Sequence, residues 1–428
     1  MSQVEAIADG GPVAHLVGRV AADGAADVVA LLDVSIVLPC LNEAAVVGQV
    51  VADARKALVD AGLRGEVIVS DNGSTDGSDE IARASGARVV YAPERGYGNA
   101  YHMGMDVACG RVLVMADADG TYPMEVLPAL VAPVLAGDAD MVIGSRLHGT
   151  LTRSSMPWLH RRVGTPVLTG VLNRFFGVTV TDAHSGMRAI DAATYQQLGL
   201  STPGMEYASE MIVKAAQRKL RITEVPIEYR PRVGESKLQT WPDGWRHLKF
   251  LMLSSPTWLF LLPGLLMCAV GAAIVVPLTF GPLIIGPIRL ILHPMVVGAA
   301  LVILGYQMVQ FGLLIRACMP VSDGIANRVA DFFVRRLTLE RVLLIGGAVF
   351  AVGFGVMVAI LVRWAGSHFG PLSDIRVAIS ALTVCVIGAQ TIFAGFLYAF
   401  FLPATFGGGV SSFHLVGRAQ TKKAEKSL

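Results

Sequence analysis

The chain has 428 residues, of which 53% are hydrophobic and 16% charged. A soluble chain carries about a quarter charged residues, so a wholly soluble protein is excluded and membrane-embedded segments are expected. The net charge of +2 is uneven: from residue 256 onward twelve Lys and Arg face five Asp and Glu, giving +7, while the first 255 residues carry −5.

Residues 1–30 carry acids early and lack a basic start followed by an apolar core, which argues for a flexible tail and against a signal peptide. Strand-like and helix-like segments then alternate. VSIVLPC (34–40) reads as a buried strand, with Asn42 as N-cap of a helix from Glu43 to about Val59. A second strand begins EVIVSD within 66–78 and ends in a polar turn that opens a helix near Asp76. ARVVYAP (87–93) is a third strand, followed by the glycine-rich RGYGNAYHMGM (95–105) and another helix.

VLVMADADGTYP (112–123) supplies the fourth strand, an apolar run that ends in Asp117 and Asp119. MVIGSR (141–146) is the fifth. This alternation predicts an α/β fold with a doubly wound, mostly parallel sheet, whose carboxyl-end loops gather on one edge. Two carboxylates at i and i+2 on that edge suit a hard divalent cation, Mg²⁺ or Mn²⁺, which in turn holds phosphate oxygens. No GxxxxGK[ST] loop occurs and no GxGxxG follows the first strand, so a P-loop NTPase or a dinucleotide oxidoreductase is not expected.

Further along, 157–178 mixes basic and apolar residues at helical spacing, either packing on the sheet or lying at a membrane surface. TDAHSGMR (181–188) brings Asp182, Ser185 and Arg188 together after a short strand, with His184 as a local hydrogen-bonding residue. Residues 203–220 form an amphipathic helix with Glu206 and Glu210 on one face. A further strand within 222–238 ends in a basic loop with Arg230, Arg232, Ser236 and Lys237, donors suited to a phosphate.

Trp241, Trp245, Arg246, His247 and Lys249 give 241–256 the character of an interfacial helix. Four apolar runs follow at about 257–279, 291–315, 342–362 and 377–402, within a membrane domain of 257–405. Arg316, Arg328, Arg335, Arg336 and Arg341 lie between the second and third runs, and the tail 406–428 is basic. The positive-inside rule puts both on the cytoplasmic side, with the domain of 31–240 and both termini, in a multi-pass protein of the inner or plasma membrane. Gln307 and Gln310 read as glue between helices. Five scattered cysteines without a CxxC pair indicate neither zinc nor a disulfide framework.

The segments VSIVLPCLNE, SDNGSTDGS, RGYGNA, MADADG, GSR, TDAHSGMR and YRPRVGESKL occur in this order. As a set they resemble the inverting family-two glycosyltransferases, most of all the polyprenyl-phosphate hexosyltransferases such as dolichyl-phosphate mannose and glucose synthases. The resemblance covers 34 to about 240. It implies a Rossmann-like, nucleotide-sugar-binding fold of GT-A type. It also implies transfer of a hexose from UDP-glucose or GDP-mannose to polyprenyl or dolichyl phosphate, giving a lipid-linked sugar for glycosylation or cell-wall assembly.

By the same resemblance Pro39, Asn42, Glu43 and Asp71 hold the nucleotide base, with Gly73 in the same loop and Ser74 and Asp76 as turn-forming neighbours. Asp117 faces ribose and sugar, and Asp119 takes the metal. Thr121 stands where some members have Gln, so no third protein ligand is implied. Arg146, Ser185, Arg232, Ser236 and Lys237 hold the acceptor phosphate, and Asp117, Asp119, Arg146 and Arg232 form the catalytic set. A phosphate acceptor is already ionised at neutral pH, so Glu206 and Glu210 are expected to orient rather than to act as base.

The partners implied are a nucleotide sugar, a polyprenyl phosphate lipid and the membrane, without nucleic acid and with a homo-oligomer left open. A processive polysaccharide synthase would carry QxxRW, but the one Arg-Trp pair here, Arg363 and Trp364, is preceded by Ile360. A membrane scaffold or transporter subunit is the non-enzymatic alternative.

Overall fold

The structure is a computed structural model that describes residues 32–149, 158, 160–232, 240–318, 338–370 and 374–401. The tails, the loop arginines Arg328, Arg335 and Arg336, and Ser236 and Lys237 lie outside the described residues. The chain divides into two units, one up to Leu251 and one from Met252.

In the first unit the elements run β1 (Leu32–Cys40), α1 (Val47–Asp60), β2 (Gly65–Asp71), α2 (Ser78–Ala84), β3 (Arg88–Tyr91), α3 (Tyr97–Asp106), β4 (Gly110–Met115), α4 (Leu127–Leu135) and β5 (Met141–Ser145). They continue with α5 (Thr165–Phe176), β6 (Arg188–Asp191), α6 (Ala192–Leu198), α7 (Tyr207–Gln217), β7 (Ile222–Pro226) and α8 (Thr240–Leu253). The seven strands form one sheet in the order β3-β2-β1-β4-β6-β5-β7. Every pairing is parallel except those of β6, which runs antiparallel between β4 and β5.

Strand alternation divides the core between the two faces. Val34, Ile36 and Leu38 of β1 and Val112 and Val114 of β4 join α1 and α4 on one face. Val37, Leu113 and Met115 join α3, α5, α6 and α7 on the other. The result is the three-layer arrangement of a doubly wound sheet.

Three expectations change. The strand expected before residue 181 is absent, because side chains take the backbone groups a ladder would need. The Asn173 carboxamide binds both the N–H and the carbonyl of Val180, and the Glu224 carboxylate accepts from the N–H groups of Thr181 and Asp182. The strand follows instead, as β6. The glycine-rich segment 95–105 is itself helix α3 for most of its length. Its Gly98 and Gly104 mark close packing, since an added Cβ would lie 2.2 Å from the Thr202 carbonyl and 2.4 Å from Val37. Asn42 does not cap α1, which begins at Val47; it sits at a φ of 52° and binds the loop after β2.

Among the described residues of the second unit, four helices are long and apolar enough to cross a membrane: Thr257–Phe280, His293–Cys318, Leu339–Gly366 and Ile375–Phe401. The first combines a π-helical turn with α9 (Leu262–Phe280), and the others are α10, α11 and α12. A short hairpin of β8 (Leu283–Ile285) and β9 (Ile288–Leu290) joins the first two. Small residues let backbones approach: Gly264 faces Gly305, Gly271 faces Gly298, and Gly353 faces Ala381. The Gln390 amide donates to Gln307 Oε1 at 3.0 Å, and the Tyr398 hydroxyl donates to the Gln310 carbonyl at 2.9 Å. Gln307 therefore links α10 to α12 through its side chain, and Gln310 does so through its backbone.

Candidate active site

Parallel strands β1, β2, β3 and β4 deliver their following loops to one edge of the sheet. After β1, the Asn42 N–H donates to Ser74 Oγ at 2.9 Å, and Asn42 Oδ1 accepts from the Thr75 N–H at 2.8 Å. The Glu43 N–H donates to Ser78 Oγ, and the Ala44 N–H to Asp76 Oδ2. The loops after β1 and β2 are thus sewn together, with Pro39 opposite Ser70 in the register.

Asp71 accepts from the N–H groups of Gly73 and Ser74, an Asx turn that needs the left-handed φ of 89° at Gly73. Asn72 extends the stitching: its amide donates to the Glu94 carbonyl at 2.7 Å, and its Oδ1 accepts from the Gly96 N–H at 2.7 Å. Sequence reasoning passed over Asn72, although it lies inside the quoted SDNGSTDGS segment.

After β4, Asp117 and Asp119 separate in their surroundings. Asp117 Oδ1 accepts from the Tyr97 hydroxyl at 3.0 Å. Its Oδ2 packs so closely on Gly186 that an added Cβ there would lie 2.8 Å away and would push the carboxylate from its seat. Burial first, then the charge of Asp119, push the Asp117 carboxyl up to about 7, against the pull of Tyr97, Arg146 and Arg232. Asp119 Oδ1 accepts from both the N–H and the hydroxyl of Thr121, at 3.1 and 2.6 Å. Thr121 therefore orients Asp119.

Among the described residues no group of three or more His, Cys, Asp and Glu could hold a metal ion. The donor set nevertheless fits Mg²⁺ or Mn²⁺, which keep waters and use one or two carboxylates together with substrate phosphates. Asp119 would hold such an ion, with Asp117 beside it.

Arg146, expected at the acceptor phosphate, pairs with Asp182. Its Nε and Nη2 donate to the two oxygens of Asp182 at 2.7 and 2.9 Å, and its backbone N–H donates to the same carboxylate. Its guanidinium lies 5.2 Å over the ring of Tyr229. Burial would raise the Asp182 carboxyl, but the charge and hydrogen bonds of Arg146 win and hold it below its ordinary value. Ser185 is fully buried, and its hydroxyl accepts from the Met187 N–H. Arg188 is buried as well and donates to the carbonyls of Ser185, Ala208 and Ala183, bracing this loop from within.

Arg232 is the cation that faces the acids. Its Nη2 pairs with Glu43, and its Nη1 lies 3.5 Å from Asp119 Oδ2. Two residues earlier, the Arg230 N–H donates to the Thr121 carbonyl at 2.9 Å, laying this segment along the turn that carries Asp119.

The two glutamates of α7 and its start part company. Glu210 accepts from the N–H and hydroxyl groups of Ser201 and Thr202 and pairs with Lys214, so it secures the preceding loop. Glu206 Oε2 is buried without a partner among the described residues. His184, expected to hydrogen-bond locally, has no partner for either ring nitrogen there and packs edge-on against His247 at 4.6 Å. Tyr97, Tyr122 and Tyr229, all in contact with the acidic turn or its neighbours, escaped sequence reasoning. They lie inside the quoted segments RGYGNA, VLVMADADGTYP and YRPRVGESKL, but a tyrosine there carries no chemical signal of its own.

The Glycosyl transferase family 2 model matches residues 35–199, and the Glycosyltransferase family 2 C-terminal transmembrane region matches 320–402. The low-salt glycan biosynthesis hexosyltransferase Agl6 of Haloferax volcanii is 38% identical over 363 residues, 85% of this chain and 87% of its own. The dolichyl-phosphate hexose transferase of the same organism is 35% identical over 212 residues, covering 50% of this chain and 89% of its own. A solved glucosyl-3-phosphoglycerate synthase of Mycobacterium tuberculosis, in complex with Mn²⁺, UDP-glucose and phosphoglyceric acid, shares 26% identity over 52% of this chain and 79% of its own, at a TM-score of 0.41.

Proposed function

The chain is a hexosyltransferase and belongs to glycosyltransferase family 2, with membrane helices, and from that premise we propose that it moves a hexose from a nucleotide sugar to the phosphate of a polyprenyl lipid. The observation that carries the reading is the meeting of Asp117, Asp119, Glu43 and Arg232 at one sheet edge, in a chain that also holds four apolar helices. Homology to a dolichyl-phosphate hexose transferase supports the acceptor class.

A phosphate oxygen of the lipid attacks the anomeric carbon as the bond from that carbon to the nucleotide's β-phosphate oxygen breaks, inverting the centre. The electron pair of the broken bond leaves on the nucleoside diphosphate. The acceptor is already ionised at neutral pH, so no side chain needs to act as base. The loops at Pro39, Asn42, Glu43, Asp71 and Gly73 form the nucleotide wall, and Asp117, held by Tyr97, orients ribose and sugar. Mg²⁺ or Mn²⁺ on Asp119 would neutralise the leaving pyrophosphate. Arg232, with Ser236 and Lys237 of the same YRPRVGESKL sequence segment, draws the acceptor phosphate in line. Arg146 shapes the wall through Asp182 and Tyr229. The catalytic domain and both termini face the cytoplasm.

The test uses the full-length protein in lipid nanodiscs with Mn²⁺, a polyprenyl phosphate and, in turn, UDP-glucose, GDP-mannose and other common donors. A single-sugar glycolipid from one donor is expected. No glycolipid from any donor, or a polymer, overturns the reading.

A further inference from the structure

Arg232 and the two acids it faces come from three separate segments. The resemblance gave them three different ligands: base to Glu43, metal to Asp119 and acceptor phosphate to Arg232. In the fold they form one ion-pair cluster. Glu43 and Asp119 are only 9% and 7% exposed, and Asp117 adds a third carboxylate two residues away. Several acids at low exposure repel one another unless a cation stands among them. Arg232 is a cation that stands among them.

The way Arg232 is held differs from a permanent structural pair. Arg146 shows what permanence looks like here, with a fork closed on both oxygens of one carboxylate. Arg232 splits its fork between two carboxylates, its contact to Asp119 is 3.5 Å long, and its Nε is buried with no partner among the described residues. A guanidinium has five donors in a fixed plane and favours a bidentate anion such as phosphate. Its present seat leaves that capacity unused.

We propose that Arg232 is the resident cation of the donor site, displaced when a nucleotide sugar arrives with its divalent ion and thereby released to the phosphate of the acceptor. The inference rests on the proposed donor and acceptor classes and adds a coupling between them. The incoming ion replaces the guanidinium as counter-charge for Asp119, and the nucleotide takes Glu43. Arg232 then carries an unpaired positive charge into the site, where a phosphomonoester is the anion that fits it. Donor binding and acceptor capture become reciprocal: each tightens the other by the same factor.

The test measures binding, so it needs no turnover. Full-length protein in detergent is titrated with Mn²⁺ and UDP or GDP, and separately with geranyl phosphate, a short isoprenyl monophosphate, in the absence and presence of the Mn²⁺ and nucleotide that bind. Wild type is expected to bind geranyl phosphate at least about tenfold tighter when Mn²⁺ and nucleotide are present. Arg232→Gln is expected to bind Mn²⁺ and nucleotide about fivefold tighter than wild type, through loss of the competing cation, and to lose the coupling. Arg232→Lys, which keeps the charge without the fork, should retain the weaker wild-type affinity for Mn²⁺ and nucleotide. An Arg232→Gln protein whose affinity for Mn²⁺ and nucleotide is unchanged or weaker overturns the proposal. So does geranyl phosphate binding that ignores the nucleotide. Absence of glycolipid formation would instead strike at the acceptor class alone, since the effect of Arg232 on Mn²⁺ and nucleotide is read without any acceptor.

Discussion

Arg146 and Arg232 stand near the same acidic turn and are held in opposite ways. Arg146 is sunk against Asp182, whose side chain has no exposure, and the pair is closed by two side-chain hydrogen bonds and one from the backbone. Arg232 is more open, shared between Glu43 and Asp119, and incompletely bonded. The first arrangement builds a wall and the second leaves a charge in reserve. An arginine in a motif therefore has no fixed role; the geometry of its carboxylate partner decides whether it supports or binds.

The comparison breaks most visibly at the wall. Arg146→Met strands a buried Asp182, and we expect a loss of about 3–5 kcal/mol, read by chemical denaturation of the catalytic domain's tryptophan or circular dichroism signal. Arg146→Met with Asp182→Leu should recover most of that loss, because a buried pair replaced by apolar residues of similar size is close to neutral. If the double variant is as unstable as the single, the wall reading fails.

At the mouth the effect falls on chemistry rather than stability. Asp119→Asn should lower glycolipid formation by about 10²–10³-fold, the scale of losing one preorganised electrostatic group, while the thermal midpoint moves little. A large thermal shift would place Asp119 with the wall instead.

The two regions also part in acid. The folded-state carboxyl of Asp182 lies below its ordinary value, so its stabilising contribution is fully present above the ordinary carboxylate range. It is lost as pH falls through the depressed folded value. The stability gap between wild type and Asp182→Asn should accordingly hold constant from neutral pH down to about pH 4 and close below it. A gap that closes near neutrality would contradict this sign.

The smallest expected effect sharpens the donor side. Tyr97→Phe removes one hydrogen bond to Asp117, worth about 1.5 kcal/mol or roughly tenfold in kcat/KM for the nucleotide sugar. KM for the lipid should stay unchanged.

Much of this was legible in the sequence because apolar runs end abruptly in acids. The strand before Asp117 announces itself by hydrophobicity, and its carboxylates cannot remain in a core, so the strand and the acidic turn that ends it follow from one pattern. The four membrane helices were readable for the same reason: twenty-odd apolar residues have few other uses. What stayed hidden depends on side chains that replace backbone pairing. Nothing local in VTVTDAH tells that Asn173 and Glu224 will take the backbone groups of residues 180–182 and move the strand downstream. The glycines of RGYGNAYHMGM read as loop until Thr202 and Val37 are seen pressing on them. The partners of Arg146 and Ser185, the Asp182 carboxylate and the Met187 N–H, likewise carry no local sequence signal.

The antiparallel β6 has a consequence for how the enzyme comes into being. β4 and β5 are consecutive in sequence yet are not neighbours, since β6 occupies the slot between them. As the chain leaves the ribosome, β5 has no partner until residues 188–191 emerge, and its other edge waits for β7 at 222–226. Non-local closure of this kind is slow, and the open edges are exposed to mispairing until it occurs. The segment that enters β6 is the loop carrying Asp182 and Gly186, which seats Arg146 and Asp117. Closing the sheet and assembling the site are therefore a single late event. Nascent chains short of β7 should depend on chaperones that shield strand edges.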